Sequence, residues 1–356
     1  MSNLNTTTDD LRIMEVQEVH SPSTLIEDFP LTDSAAITVS RARKETHEIL
    51  HGKDDRLVVV VGPCSIHDTK AALEYADKLA VLREELKDDL HIIMRVYFEK
   101  PRTSIGWKGL INDPDLNDEF NINKGLRVAR ELLVNLAEKG MPTATEFLDL
   151  ISPQYIADLI SWGAIGARTT ESQAHRELAS GISCPIGFKN GTYGNTDIAV
   201  NAIKSSSNSH HFLSVTKEGK SAIFTTKGNE DCHIILRGGR RPNYDEVSVG
   251  AALEDLGNAG LAQNLMVDFS HANSNKDFRN QPKVSANIAN QISGGQKGIS
   301  GVMIESHLVE GNQSATGKKL EEMTYGQSIT DACINWSDTE VVLRQLAAAV
   351  KKRRSV

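Results

Sequence analysis

Leu57-Val58-Val59-Val60-Val61 is an unbroken apolar run that ends at Gly62-Pro63-Cys64, and the same arrangement returns along the chain. Further short apolar runs cover residues 92–96, 143–147, 164–167, 186–188, 234–236, 265–269 and 301–304. Each stops at or beside a charged or metal-ligating side chain: Cys64, Arg95, Glu146, Arg168, Lys189, Arg237, His271 and Glu305 in turn. Short continuous β-branched runs are the mark of strands buried on both faces, and in a closed α/β barrel the functional side chains sit where strands end. Apolar residues at helical spacing follow most runs, over 71–86, 125–136, 153–160, 198–203 and 341–350. Strand then helix, repeated, means parallel pairing. The expected fold is therefore α/β, a (β/α)8 TIM barrel over residues 53–356, with one ring of strand ends holding the whole site.

The length of 356 residues suits such a barrel with additions, since the fold takes about 250 residues before insertions. Two segments fall outside the repeat. Residues 1–52 hold a polar arm and then a helical pattern over 35–50. Between Lys189 and Arg237, residues 212–215 and 222–225 alternate around Lys217-Glu218-Gly219-Lys220, a hairpin signal spanning about 212–226. Neither is needed to close a barrel, so oligomer contacts, regulation and plain solvent cover remain open for both. Ser152 before Pro153, and Asp338 near the last helical pattern, read as helix starts.

Hydrophobic residues make up 39% and charged residues 24%, the composition of an ordinary soluble globule. No apolar run approaches the roughly 20 residues of a membrane span, and the start is polar and acidic rather than a leader, so a cytoplasmic protein with no membrane partner is expected. The net charge of −8 argues against a nucleic-acid partner. Cations nevertheless gather at the strand ends, which focuses field on one face and suits small polyanions such as phosphorylated metabolites. Four cysteines without close pairing exclude a disulfide framework and a zinc knuckle.

Cys64, His271, Glu305 and Asp331 form a mixed thiolate, imidazole and carboxylate set suited to one divalent first-row ion (Mn, Fe, Co or Zn). Singly, such residues are ordinarily buried or hydrogen-bonded for structural reasons. Jointly, beyond strands one, seven and eight and in the last connection, they read as a site. Arg168, Lys189 and Arg237 stand beside glycines that permit close approach, and three cations at one mouth repel one another without an anion. Lys100-Pro101-Arg102-Thr103 presents two cations and a hydroxyl on a proline-stiffened loop, which reads either as a second phosphate site with Lys100 available as a proton donor or as a rigid turn capped by surface charge.

Six motifs then occur in order: Gly62-Pro63-Cys64-Ser65-Ile66-His67, residues 95–103, residues 166–171, Gly187-Phe188-Lys189-Asn190-Gly191, Asp268-Phe269-Ser270-His271 and Ile304-Glu305-Ser306. From about residue 9 to the C-terminus the chain resembles 3-deoxy-D-arabino-heptulosonate-7-phosphate (DAHP) synthase in its microbial, feedback-inhibited form. The resemblance implies condensation of phosphoenolpyruvate with erythrose 4-phosphate, releasing phosphate. It implies Cys64, His271, Glu305 and Asp331 as ligands of one metal ion per subunit. It further implies Arg95, Lys100, Arg168, Lys189, Arg237 and nearby Glu146 for phosphoenolpyruvate, and Arg102 and Thr103 for erythrose 4-phosphate. The arm and hairpin become the place where an aromatic amino acid binds and a homotetramer, a dimer of dimers, is built. Positions matching the effector site are Asp9, Asp10, Phe147, Asp149, Pro153, Gln154, Ile182, Ser183, Phe212, Ser214 and Phe224. Pro153 and Ser214 resemble phenylalanine-sensitive members, whereas Phe224 stands where valine is expected and Tyr193 where an aspartate is common. A sister synthase using another phosphorylated sugar is the enzyme alternative, disfavoured by the 100–103 loop and the long arm. An inactive barrel kept as an aromatic-amino-acid sensor is the other, disfavoured by the completeness of the ligand and cation set.

Overall fold

The computed structural model describes residues 8–102 and 106–356, and in it every one of the apolar runs is a strand of one closed parallel barrel. The strands begin with β1 (Leu57–Gly62), β2 (Leu90–Arg95), β3 (Thr143–Glu146), β4 (Trp162–Ile165) and β5 (Ile186–Lys189). An antiparallel hairpin of β6 (His211–Val215) and β7 (Ser221–Thr225) intervenes, and the barrel resumes with β8 (Cys232–Leu236), β9 (Leu265–Asp268) and β10 (Ile299–Glu305). A short pair, β11 (Val309–Asn312) and β12 (Gln327–Ser328), lies in the last connection. Helices α1 (Pro22–Asp28) and α2 (Asp33–Leu50) precede the barrel. Each barrel strand is then followed by one helix: α3 (Thr69–Glu85), α4 (Ile122–Glu138), α5 (Pro153–Ile156), α6 (Gln173–Gly181), α7 (Asp197–Ser206), α8 (Glu246–Asn258), α9 (Gln281–Ser293) and α10 (Trp336–Arg353).

Successive strand residues face opposite sides, so each strand feeds two apolar layers. Leu57, Val59 and Val61 pack outward with Ile92, Met94, Val267 and Ile304 against the helices. Val58 and Val60 pack inward with Ile93, Ala144, Trp162, Ala164, Ile235, Met266 and Met303, a separate cluster filling the barrel. Register holds the two layers level: Val60 pairs with Ile93 on one side and Met303 on the other. Gly187 belongs to this packing. A Cβ there would lie 2.7 Å from the Trp162 ring and 2.6 Å from Ile235 Cδ1, so glycine makes room for an indole inside the barrel rather than for a ligand. Gly166 likewise lies against Glu146, where a Cβ would be 2.4 Å from Oε1.

Helices α6, α8 and α9 escape the periodicity of the sequence because their buried stripes are narrow or polar. Only Val249, Ala252 and Leu256 are buried in α8, and α9 buries Gln281 and Ser285 among its apolar residues. Two expected helix starts also shift. Ser152 precedes α5 in helical conformation without capping it, because its hydroxyl donates to Glu99 Oε2 at 2.9 Å. The last helix is capped by Asn335, whose side chain accepts from Asp338 N–H, so Asp338 lies within the first turn. At its other end Arg354 reaches Asp55 at 2.7 Å and the buried Asp89 at 2.6 Å.

The two additions touch each other. Ser23 N–H donates to Lys217 O at 2.7 Å, Lys217 Nζ donates to Gln154 O, and Tyr155 hydroxyl donates to His20 O at 2.7 Å. The hairpin turn, the entry of α1 and the short α5 thus form one surface.

Trp162 is fully buried and its Nε1–H donates to His233 Nε2 at 3.2 Å. Trp162→Ala should cost about 3–5 kcal/mol, the usual range for removing a buried aromatic. Denaturant unfolding of the variant at a midpoint equal to that of the parent would show that the barrel interior repacks freely.

Candidate functional site

The inward layer continues past its apolar members. Two residues beyond Ile93, Ala144, Ile235, Met266 and Met303 come Arg95, Glu146, Arg237, Asp268 and Glu305, and Lys189 follows the inward Gly187 by the same step. A two-residue period in parallel strands therefore lifts these charges to one level at the barrel mouth.

One corner of that level is suited to a cation. Cys64, Glu305 and Asp331 offer ligand atoms within 4.8 Å of one another, and the Cys64 thiol lies 3.7 Å from Asp331 Oδ2. Glu305 Oε1 is buried and takes no well-directed hydrogen bond, although Arg95 Nη2 is 3.0 Å away. A carboxylate oxygen left in that condition is costly, and a metal ion relieves it. Lys100 Nζ donates to Cys64 Sγ at 3.1 Å. Burial opposes charge on Lys100, but Cys64 and Glu305 outweigh it and hold the ammonium above the ordinary lysine range. Burial, with Glu305 close by, pushes the Cys64 thiol up to about 11, so an incoming cation must displace its proton. Cys333 lies beside it, and both are free thiols.

His271, expected in the same ligand set, has its Nδ1 2.9 Å from Asp268 Oδ2 and 2.7 Å from the Ser270 hydroxyl, which leaves Nε2 as the ring nitrogen a metal could take. Its field still reaches Asp331. Burial would raise the Asp331 carboxyl, but Lys100 and His271 hold it below the usual carboxylate range. Arg95 is fully committed, donating to the Pro63 carbonyl at 3.0 Å and the Cys64 carbonyl at 3.2 Å, with its guanidinium 3.5 Å from the Tyr97 ring centroid. It orients the thiol corner from below.

Asp268 is the member that sequence reading left out, although it stands inside a quoted motif. It is wholly buried, 3.1 Å from Lys189 Nζ and 2.9 Å from His271 Nδ1. Burial would raise its carboxyl, but His271 and Lys189 hold it well below the usual range. A lone carboxylate at the inward end of β9 was the available signal. Lys189 is thus paired rather than free. Arg168 and Arg237 differ: among the described residues neither has a carboxylate within 4.0 Å, and burial lowers Arg237, with Asp268 opposing and Arg168 adding to that shift. Two guanidinia near one another without a carboxylate in ion-pair contact suit an anion. Asn190 Oδ1 fixes the Arg237 backbone N–H at 2.8 Å.

Arg102 is exposed and its Nε donates to Trp107 O at 2.7 Å, while Thr103 lies outside the described residues. Of the effector positions, Asp9 and Asp10 lie on the exposed arm, and Phe147 and Pro153 are buried. Asp149 Oδ1 accepts N–H bonds from Ile151 at 2.6 Å and Ser152 at 2.8 Å. Phe212 and Phe224 pair across the hairpin with ring centroids 6.1 Å apart, beside Ser214 in β6, while Ile182 and Ser183 lie between α6 and β5. Tyr193 is exposed, under the Arg240 guanidinium at 5.2 Å. Ser152 joins this region to the mouth through Glu99, one residue from Lys100. Burial and then Asp149 push the Glu99 carboxyl up to about 7.

Residues 29–344 match the pattern of the DAHP synthetase I family. The chain is 62% identical over 351 residues to a protein of Escherichia coli K12 named phospho-2-dehydro-3-deoxyheptonate aldolase, Phe-sensitive, covering 99% of this chain and all of that one. Identity to the phospho-2-dehydro-3-deoxyheptonate aldolase of Haemophilus influenzae is 58%, over 97% of this chain and 95% of that protein. Among solved structures, the phospho-2-dehydro-3-deoxyheptonate aldolase of Francisella tularensis SCHU S4 superposes with a TM-score of 0.94 at 54% identity, covering 96% of this chain and 99% of that one.

Glu99 yields a pH signature. Its carboxyl is raised in the folded state, so its contribution is fully present below about 4.5, the unfolded value, and is lost as pH rises through about 7. Glu99→Gln should be more stable than the parent by roughly 3 kcal/mol above that window, and equal to it below. Parallel unfolding curves for the two proteins from pH 4 to 8 would refute the burial of an acid there.

Proposed function

The chain belongs to the DAHP synthetase I family, and from that premise we propose how its barrel mouth carries out the reaction. The enzyme is a DAHP synthase: phosphoenolpyruvate, erythrose 4-phosphate and water give DAHP and inorganic phosphate, the first step of the shikimate pathway. The single observation behind the proposed division of labour is the contrast between two corners of one ring. The thiol and carboxylates lie on one side, with a buried oxygen lacking a directed bond, and two unpaired guanidinia lie on the other.

In this reading Arg168 and Arg237 take the phosphate of phosphoenolpyruvate, with Lys189 and Arg95 beside its carboxylate and Glu146 at the wall. Arg102 and Thr103 take the phosphate of the sugar. Cys64, Glu305, Asp331 and His271 would hold one divalent ion, of the Mn, Fe, Co or Zn group, His271 through Nε2 while Asp268 keeps its Nδ1. When bound, that ion supplies Lewis-acid polarisation of an aldehyde. Lys100, held protonated, donates to the aldehyde oxygen as carbon three of the enol attacks. Water then adds at carbon two, and phosphate leaves with C–O cleavage, its charge met by the paired guanidinia.

The arm (1–52) and hairpin (about 212–226) serve regulation and assembly in this proposal, phenylalanine being the effector and a cytoplasmic homotetramer the assembly. The name of the Escherichia coli relative supports the first. For assembly, Leu11, Met14 and Val16 on the arm and Leu213 and Ile223 on the outer hairpin face are exposed apolar side chains. Among the described residues no helix is long and apolar enough to cross a membrane.

Phosphate release should require both substrates, vanish with chelator and return with Mn²⁺; release from phosphoenolpyruvate alone would overturn the reading. Lys100→Ala should lower turnover by about 10³-fold or more, within the span of general acid catalysis, with metal content by elemental analysis unchanged. Near-parental turnover would remove Lys100 from the chemistry. In a titration with the three aromatic amino acids phenylalanine should inhibit at the lowest concentration, and stronger inhibition by tyrosine or tryptophan would reassign the effector.

A further inference from the structure

A second cluster of ligating side chains lies at the opposite end of the barrel. His47 and His51 stand one turn apart at the C-terminal end of α2, and Asp231 immediately precedes β8. Both are at the base, where strands begin, whereas the mouth is built where they end. His47 Nδ1 is 2.7 Å from Asp231 Oδ1, and His51 Nε2 is 2.9 Å from the same oxygen. The two rings lie with centroids 4.2 Å apart. Among the described residues, the imidazoles are the only ion-pair partners of Asp231 within 4.0 Å.

Both halves of the cluster are held from behind. Arg43, one turn earlier in α2, donates through Nη2 to the carbonyls of Ala157 and Ile160, each at 2.7 Å, and Asn264 Nδ2 donates to Leu50 O at 2.7 Å. Asp231 N–H donates to Asn229 Oδ1 at 3.0 Å, and the amide of buried Asn229 donates to the carbonyls of Ala179 and Cys184 at 3.1 Å. The side chains of His47, His51 and Asp231 keep 29%, 31% and 18% of their exposure, so an ion in solvent can reach three groups on backbone tied down by hydrogen bonds. Histidines four apart on a helix face the same way, and neutral imidazole is a preferred ligand of first-row ions.

We propose that His47, His51 and Asp231 form a second metal site, distinct from the barrel mouth, for a divalent ion of the zinc type. Two imidazole nitrogens and one carboxylate oxygen, completed by water, make a tetrahedral N₂O₂ set. Nitrogen donors exclude magnesium and calcium as the preferred ions. Entry of the ion requires the imidazole protons to shift to the outer ring nitrogens, and the three donor atoms to part by about 0.5 Å, given zinc–ligand lengths near 2.0–2.2 Å. The bound ion joins α2 to the segment between the hairpin and β8, stretches 184 residues apart in the chain. It does no chemistry on substrate; it fastens the helix ahead of the barrel to the barrel base.

The test uses the full metal-free chain titrated with Zn²⁺ and, separately, Co²⁺. The parent should bind one more Zn²⁺ per chain than His51→Lys or Asp231→Asn, with the DAHP-forming rate of both variants unchanged, which also certifies their folding. Because this is a difference between proteins sharing one mouth, it stands whether or not the mouth binds metal as proposed. Cobalt separates the two sites spectroscopically: a ligand set without sulfur gives no thiolate-to-cobalt charge-transfer band, so the extra equivalent should add none. Zinc should raise the melting temperature of the parent more than that of either variant. Equal stoichiometry in parent and variants, or an extra equivalent that carries the thiolate band, would leave a hydrogen-bonded cluster only and overturn the proposal.

Discussion

Everything at the mouth depends on one geometric constraint: side chains on a parallel strand alternate with a period of two, and closure into a barrel turns one set of alternate positions toward a common axis. Val58, Val60, Ile93, Trp162, Ile235, Met266 and Met303 spend that inward set on packing. On β2, β3, β8, β9 and β10 the next inward position carries a charge, which meets the charges of its neighbours. Arg95 and Glu305, or Lys189 and Asp268, approach to about 3 Å without any segment of local sequence linking them.

Such crowding is tolerable because opposite charges pair across the ring. Asp268 sits between Lys189 and His271, and Glu305 beside Arg95 with Lys100 above. The exceptions are the groups that the proposed function uses. Glu305 Oε1 has a cation near it but no directed hydrogen bond, and Arg168 and Arg237 have each other instead of a carboxylate. Each is a local debt that a bound ion or anion settles. Gln281 behind them is satisfied on both sides: it donates to the Glu305 carbonyl at 2.9 Å and accepts from its N–H at 3.0 Å.

The strands were legible in the sequence because double-sided burial leaves short runs with few polar interruptions, and the chemistry-bearing residues were legible because they end those runs. What could not be read was pairing. Lys189 looks like a free cation until Asp268 is brought against it from β9, and the sequence does not show that the same carboxylate holds His271 Nδ1. Nor does sequence show that Arg102 donates Nε to Trp107 O within its own loop, which leaves its Nη groups for a phosphate. Gln281 and Asn190 are unremarkable in sequence, since an amide that substitutes for a neighbouring strand has no local signature. Helix α8 was missed for a different reason: three buried residues in a helix leave little periodicity to detect.

Barrel closure also has a consequence in time. The edge of β1 pairs with β10, from Val58 against Gly301 to Gly62 against Glu305, so its partner is made some 240 residues later. During synthesis at about 5–20 residues per second, the growing sheet carries an unpaired β1 edge for many seconds. Its five consecutive apolar residues form a sticky template throughout that interval. Helix α2, already complete and packed against β1 and β2, is the first element able to shield that region. The segment that looks dispensable for a closed barrel is therefore the escort of an open one.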